Sequence, residues 1–168
     1  EFNCDIVPRG IYRVGGVILS KEKVFISYEN RILIKYTLVD AHSPTVLRFR
    51  PFLAFRNVNS LCVENYQADT SYQGVSNGIS VCMYQGYPNL YMQFNKEVNF
   101  VSTPYWNKGI EYAKELERGY YYKEDLFVPG YFEVPIKKGE SIIFSAGVSE
   151  VDTANLSQIY YEEISKRT

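Results

Sequence analysis

The sequence predicts an all-β protein, an antiparallel β-sandwich that ends in a short α-helix. Three observations carry this prediction: many short runs alternate apolar and polar residues, turn-forming residues recur between those runs, and aromatic residues are abundant. Alternation with a period of two gives each strand one buried face and one polar face. Tyr and Phe, with 16 and 10 copies among 168 residues, favour sheets because large flat rings pack well across neighbouring strands.

The composition is that of a single globular domain spanning residues 1–168. Hydrophobic residues make up 46% of the chain and charged residues 22%, which provides enough apolar material for a core and argues against disorder. The net charge of -1 creates no basic field for phosphate groups, so we expect no nucleic-acid partner. No apolar run approaches the roughly 20 residues of a membrane helix, and we expect no membrane partner.

The segment 31–56 forms the centre of the predicted sandwich. Its two halves alternate in polarity and are separated by a His-Ser-Pro turn, so we predict one long antiparallel hairpin. Pro51 has no N–H to donate and is expected at an edge, a bulge or a bend. The apolar residues that share a face are Ile32, Ile34, Tyr36 and Leu38 in the first half, and Leu47, Phe49, Leu53 and Phe55 in the second.

Shorter runs on both sides complete the predicted sheets. Asn77-Gly78 is the strongest turn signal because both residue types accept positive φ, and it predicts a hairpin between 72–76 and 79–84. The other predicted strands are 11–20, 24–28, 90–94 and 97–102, followed by a hairpin of 131–136 with 141–146. Within the first of them, Gly15-Gly16 indicates either a bulge or a close approach of the backbone.

The last element is the C-terminal helix. Apolar residues recur at helical spacing after Asp152 or Thr153, either of which can serve as the N-cap. These apolar residues are Leu156, Ile159, Tyr160 and Ile164.

Two interpretations remain open for the segment 106–125. Residues 111–118 have a composition that favours a helix, and Gly119 is a suitable residue just beyond its C-terminal end. The same residues lie between strands and fit an extended arm equally well.

Acidic residues cluster in this segment beside aromatic residues. Glycoside hydrolysis uses two carboxylates placed across a sugar ring, so the cluster is compatible with a glycosidase site. The competing interpretation is a charged arm whose carboxylates pair with Lys114, Arg118 and Lys123. The acidic residues are Glu111, Glu115, Glu117, Glu124 and Asp125, and the aromatic ones are Trp106 and Tyr120 to Tyr122.

Other candidate chemistry is sparse. Arg48, Arg50 and Arg56 share one face of the second half of segment 31–56, where they either bind an anion or pair with carboxylates at a layer or domain boundary. His42, the single histidine, is interpreted as a turn residue, and no metal, cofactor or catalytic residue is predicted. The scattered Cys4, Cys62 and Cys82 indicate reduced thiols and a cytoplasmic location.

Two blocks of sequence resemble a known family. The first reads Arg-Pro-Phe-Leu-Ala-Phe-Arg-Asn at 50–57. The second contains Trp-Asn-Lys-Gly-Ile-Glu-Tyr at 106–112, Glu-Arg-Gly-Tyr at 117–120 and Glu-Asp-Leu-Phe-Val-Pro-Gly-Tyr-Phe at 124–132. In this order they resemble the N-terminal domain of bacterial and archaeal glycogen debranching enzymes, the amylo-α-1,6-glucosidases.

The resemblance implies a β-supersandwich that precedes an (α/α)6 barrel, which hydrolyses α-1,6-linked glucose at glycogen branch points. The general acid and base of the family lie in that barrel, so no catalytic residue is carried over to this chain. The chain resembles a fragment of the N-terminal domain in which the leading strands are missing. We therefore expect a bare sheet edge and a homo-oligomer formed through it.

The implied function is a non-catalytic domain that docks the (α/α)6 catalytic domain of the same polypeptide and shapes glucan access. The alternative is a stand-alone carbohydrate-binding module for α-glucans such as glycogen and maltooligosaccharides. The aromatic rings that would stack on glucose are Tyr105, Trp106, Tyr120, Tyr121 and Tyr122. The candidate residues for carbohydrate binding or a domain interface are Trp106, Glu111, Arg118, Tyr120, Glu124, Asp125, Arg50 and Arg56.

Overall fold

The computed structural model describes residues 1–168 and shows two antiparallel sheets packed as a sandwich, with a helix at the C-terminus. The strands are β1 (Phe2–Cys4), β2 (Pro8–Val14), β3 (Val17–Phe25), β4 (Arg31–Asp40), β5 (Thr45–Phe49), β6 (Gln73–Val75), β7 (Gly78–Val81), β8 (Leu90–Phe94), β9 (Asn99–Glu111), β10 (Lys123–Ile136) and β11 (Ser141–Gly147). The helices are α1 (Ala113–Glu117) and α2 (Leu156–Arg167), and a 3-10 turn (Thr153–Asn155) precedes α2. The predicted fold class is confirmed.

The two sheets differ greatly in width. The large sheet has eight strands in the order β1-β2-β3-β4-β11-β8-β7-β6, and the small sheet has three in the order β5-β10-β9. No helix of the chain is both long and apolar enough to cross a bilayer.

The predicted hairpin over 31–56 is wrong, because its two halves lie in different sheets. β4 pairs with β3 and β11, whereas β5 pairs with β10. The rings of Tyr36 and Phe49 meet across the layers, with centroids 4.8 Å apart. The in-phase alternation therefore marks two strands that face each other through the core rather than two that share a ladder. Pro51 follows the end of β5, as expected for a residue at a bend.

The predicted hairpin of 131–136 and 141–146 is wrong for the same reason. β10 is the central strand of the small sheet, and β11 lies between β4 and β8 in the large one. The turn over residues 137–140 is held to the end of β4 instead, because Gly139 donates its N–H to the Leu38 carbonyl at 2.8 Å. Both connections thus carry the chain between layers.

Glycines decide two further features. Gly15 and Gly16, with φ of 55° and 82°, form a two-residue turn between β2 and β3, so the strand predicted over 11–20 is two strands and the bulge is wrong. The hairpin of β6 and β7 is confirmed, but its turn lies one residue earlier than predicted, at Ser76-Asn77. Gly78 already belongs to β7, where a Cβ would lie 1.9 Å from the Met92 carbonyl oxygen.

The segment 106–125 contains both of the structures considered for it. Residues 106–111 complete β9, which pairs with β10 over most of its length. The short helix α1 closes this long hairpin, and Gly119, with φ of 76°, follows it. The tip of the hairpin therefore projects beyond the ladder of the small sheet.

Two apolar clusters hold the layers together. The larger one lies between the sheets and includes Phe94 and Phe132, whose ring centroids are 5.0 Å apart. The smaller one lies on the other side of the large sheet, where Leu156 and Tyr160 of α2 pack on Leu33 of β4. The predicted apolar face of α2 is confirmed, and the Asp152 side chain caps the turn before it through the N–H of Ala154.

The outer strands of the sheets differ in length. β1 and β6, at the margins of the large sheet, have three residues each, and short edge strands offer little backbone for pairing with another chain. β9 is a 13-residue edge strand of the small sheet, and it carries Pro104 and Lys108, which both discourage pairing. Self-association through a sheet edge stays a prediction.

Gly78→Ala tests the close backbone approach in the β6–β7 hairpin. The added methyl group would collide with the Met92 backbone, so we expect unfolding free energy to fall by about 2 kcal/mol. Gly74→Ala is the matched control on the same hairpin, because nothing lies within 4 Å of its Cβ position. Urea denaturation of both variants measures the difference, and equal stability would show that β7 and β8 are not in this register.

Candidate functional site

A loop over residues 50–66, which we call the strap, is fastened across β10. Leu53 and Phe127 exchange two backbone hydrogen bonds of 2.8 and 3.1 Å. Further along, the Asp125 N–H donates to the Cys62 carbonyl at 2.8 Å, and the Asp125 carboxylate accepts the N–H of Glu64 at 3.0 Å. The strap has no ladder of its own, so these bonds fix its course.

Glu124 is the centre of the attachment. Its side chain is 1% exposed, and Arg56 donates to it from Nε at 2.5 Å and from Nη2 at 3.3 Å. The Tyr112 hydroxyl donates to Oε2 at 2.5 Å, and the Cys62 N–H donates to Oε1 at 3.1 Å. Both carboxylate oxygens are therefore engaged by the strap and by the end of β9.

These contacts set the ionisation of the group. Burial by itself would raise the pKa of Glu124, but the hydrogen bonds from Tyr112 and Arg56 outweigh it and hold that pKa below its ordinary value. The bond to Glu124 raises the pKa of Tyr112. Burial, followed by the charge of Glu124, raises the pKa of the Cys62 thiol. Glu124 is thus an ionised carboxylate that lies beside the Arg56 cation and two neutral groups, the Tyr112 hydroxyl and the Cys62 thiol.

The tip of the β9–β10 hairpin stands beside the strap. The Tyr112 N–H bonds to the Tyr122 carbonyl at 2.9 Å and closes the base of the tip. Arg118 follows α1, lies 5.2 Å from the centre of the Tyr120 ring, and pairs with Glu115 at 3.2 Å. Tyr120 and Tyr121 are 60% and 66% exposed, so their rings are open to a ligand or a partner.

An open groove of about 810 Å³ runs between the strap and the tip. The Arg56–Glu124 pair lies at its base, and the exposed tyrosines form one side. This groove is the candidate site. Its lining residues are Arg56, Val58, Asn59, Leu61, Tyr112, Lys114, Glu115, Arg118, Tyr120 and Tyr121.

The acidic cluster does not converge on the groove as a pair of free carboxylates. Each exposed member has a cationic neighbour: Lys123 for Glu111 at 3.6 Å, Arg118 for Glu115 at 3.2 Å, and Lys114 for Glu117 at 3.2 Å. Those are the three cations named by the charged-arm interpretation, which is confirmed for these three acids. It is wrong for Glu124, which pairs with Arg56 instead. Asp125 is held by backbone N–H groups, which lower its pKa.

Three of the eight candidate residues line the groove together, and the others are dispersed. Arg56, Arg118 and Tyr120 line it, and Glu124 lies beneath them. Glu111 is at the base of the tip, and Asp125 lies behind the strap, where it accepts the N–H of Gly109 at 2.9 Å.

Trp106 and Arg50 lie away from the groove. The Trp106 ring packs on Phe127, with centroids 5.6 Å apart, at the margin of the core between the sheets. Arg50 lies over the Tyr131 ring at 5.5 Å, and Arg48 pairs with Glu133 at 2.7 Å on the same strand pair. Arg48 and Arg56 thus pair with carboxylates, as one of the two interpretations of this arginine face expected.

Tyr112 and the backbone N–H of Cys62 are the parts of the site that sequence reasoning missed. Neither carries a local signal, because both reach Glu124 only when the strap crosses β10. No group of three or more His, Cys, Asp or Glu side chains is placed to hold a metal ion, and His42 lies against the turn at Gly16.

Comparisons with known proteins identify one family. The sequence model of the family described as "Glycogen debranching enzyme N terminal" matches residues 1–143. No curated protein sequence matches the chain. Among solved structures, a bacterial glucoamylase complexed with acarbose aligns with a TM-score of 0.42 and 12% identity, over 97% of this chain and 27% of that chain. The chain thus spans about a quarter of the length of that glucoamylase.

Glu124→Gln tests the network at the base of the groove. The neutral amide leaves Arg56 without its buried counter-charge, so we expect a loss of about 3 kcal/mol in unfolding free energy. Glu133→Gln is the matched control, since its pair with Arg48 is partly exposed and we expect a loss of about 0.5 kcal/mol. Equal losses in chemical denaturation would contradict a structural role that is specific to Glu124.

Acid titration of the wild-type protein and of Glu124→Gln gives a second test. Because the folded-state pKa of Glu124 is lowered, the unfolded chain takes up its proton first, and the pair's contribution to stability is lost as pH falls below the ordinary value of 4.5. The wild-type protein should therefore lose more unfolding free energy between neutral pH and pH 3 than Glu124→Gln does. Parallel stability curves in denaturant melts across this range would contradict the lowered pKa.

Proposed function

The chain belongs to the family of glycogen debranching enzyme N-terminal domains, and on that premise we propose that it is the non-catalytic N-terminal domain of an α-1,6-glucosidase of the debranching type. The match over residues 1–143 is the observation that carries the proposal. In this role the chain docks an (α/α)6 catalytic domain of the same polypeptide, which supplies the general acid and base.

The state of the carboxylates supports a role without catalysis. A general acid for glycoside hydrolysis requires a raised pKa and a position facing the sugar. The pKa of Glu124 is lowered instead, and its oxygens accept hydrogen bonds from Arg56, Tyr112 and Cys62. The remaining acids of the tip are paired at the surface with lysine or arginine.

The groove supports the second part of the proposal, that the domain shapes the path of the glucan. Its volume of about 810 Å³ is within the range of ligand sites. Tyr120 and Tyr121 offer flat, exposed rings, and Arg118 and Asn59 offer hydrogen-bond donors beside them. Such a surface next to a catalytic domain would guide a branched chain toward the active site.

A second candidate function rests on the same tyrosines. As a stand-alone module, the chain would bind glycogen or maltooligosaccharides in the groove without any catalytic domain. Exposed aromatic rings that keep a polar end in water suit a carbohydrate, which presents both apolar ring faces and hydroxyl groups. Trp106 would not take part in this binding, because its ring packs on Phe127.

A cytoplasmic location and a place in glycogen metabolism belong to the proposal as well. The thiols of Cys4, Cys62 and Cys82 are free, which fits a reducing compartment.

Calorimetric titration with maltoheptaose tests the groove. If the groove holds glucan, the chain binds the sugar, and the double substitution Tyr120→Ala with Tyr121→Ala weakens binding at least about tenfold, or about 1.4 kcal/mol. Tyr66→Ala is the control, since that tyrosine is fully exposed and is not part of the groove lining. An equal loss in the control, or no heat at all in the wild-type titration, removes the glucan role of the groove.

Hydrolysis assays separate the domain from an independent enzyme. The 168-residue chain should release no glucose from a branched dextrin. Turnover that disappears in Glu124→Gln and persists in Glu133→Gln would overturn the non-catalytic role.

A further inference from the structure

One side of the large sheet is left without a covering layer at β1, β2 and most of β3. The cluster between the sheets draws buried residues from β4, β7, β8 and β11, and none from the first two strands. From β3 it includes only the partly buried Val17 and Leu19. The cause is the difference in width, since eight strands face three.

The residues on this side can be identified from the ladder. Phe2 pairs with Gly10, Gly10 with Lys21, and Lys21 with Tyr36, so these four positions form one row across the sheet. Tyr36 packs on Phe49 of the small sheet, which fixes the row on the sandwich side. The open face consists of residues that point to this same side but lie beyond the reach of the small sheet. They are Phe2, Tyr12, Val14, Lys21, Lys23 and Phe25.

The open face is apolar and unusually exposed. Val14, Phe2 and Phe25 are 76%, 72% and 68% exposed, and Tyr12 is 52% exposed. The reverse side of β3 is covered, because Val24 packs under α2 with Tyr160. A row of large exposed apolar side chains on one face of a sheet is typical of a surface that a partner buries.

The only charges on the open face are positive. Lys21 and Lys23 have no carboxylate within 4 Å, whereas the reverse side carries Glu22 paired with Arg9. The Lys21 ammonium lies 5.6 Å from the centre of the Tyr36 ring. Burial, followed by repulsion from Lys23, lowers the pKa of Lys21. A partner carboxylate would relieve this repulsion, and a second cation would increase it.

We propose that the open face docks a surface of the catalytic domain that has an apolar centre and carboxylates opposite Lys21 and Lys23. This inference rests on the proposed function, which supplies the partner. Two copies of this chain meeting through the same face would place lysines near lysines around the two-fold axis, so charge complementarity favours the acidic partner over self-association.

Lysine acetylation tests the assignment. The experiment compares the 168-residue chain with the longer polypeptide that the proposed function requires, and mass spectrometry follows Lys23 together with two exposed lysines elsewhere, Lys114 on α1 and Lys138 in the turn after β10. We expect acetylation of Lys23 to slow at least about tenfold in the longer polypeptide, while that of Lys138 is unchanged.

The alternative outcomes are distinct. Protection of Lys114 without Lys23 would place the interface at the tip, which overturns the open-face assignment and leaves the proposed function standing. If each of the three lysines is acetylated at the same rate in both proteins, or if the reading frame has no following domain, the open-face assignment and the proposed function are both overturned. If protection of Lys23 rises with the concentration of the isolated chain, the partner of the open face is a second copy of this chain and not the catalytic domain.

Charge reversal tests whether Lys21 and Lys23 themselves contact the catalytic domain. Lys21→Glu with Lys23→Glu should split thermal unfolding of the longer polypeptide into two transitions, because the reversed charges would repel the carboxylates of the catalytic domain. Lys114→Glu is the matched control and should keep a single transition. A single transition in both variants would contradict docking through the open face.

Discussion

The ion pair of Arg56 and Glu124 is the interaction on which the candidate site depends. The strap has no strand of its own, and its position across β10 is set by a few backbone bonds together with this buried pair. Without the carboxylate, Arg56 would lie beside an apolar core edge with no counter-charge, and the wall of the groove would lose its anchor. The groove, the orientation of Tyr112 and the course of the strap therefore follow from one buried acid that stays ionised.

The unequal widths of the two sheets give the domain two separate surfaces. The groove lies at the end of the β9–β10 hairpin, where this strand pair extends beyond the rest of the small sheet. The open face lies on the strands of the large sheet that the small sheet does not cover. The first is polar and aromatic, and the second is apolar with two lysines. A domain that both contacts a neighbour and guides a glucan needs two such surfaces, and the proposed function uses each for one task.

Sequence reasoning predicted the strands well and their partners poorly. The alternation in 31–40 and 45–49 corresponds to strands, and the predicted apolar face of α2 is buried. Both could be predicted because burial of one side of an element makes apolar residues recur at a regular spacing in the sequence. Whether two neighbouring strands share a ladder or face each other leaves no such record, since both arrangements bury the same parity. The links to Glu124 were invisible for a related reason: Arg56 and Cys62 lie more than sixty residues away along the chain. Both family blocks supply residues around Glu124, since Arg56 lies in the first block and Tyr112 in the second.

The ionisation of Glu124 tests the central claim most directly. Carbon-detected NMR of the side-chain carboxyl, followed through an acid titration of the intact chain, reports the pKa of this one group. A midpoint below the ordinary value of 4.5 agrees with a carboxylate held charged by Arg56 and Tyr112. A midpoint well above that value would show a protonated acid poised for proton transfer, and would contradict a purely structural Glu124.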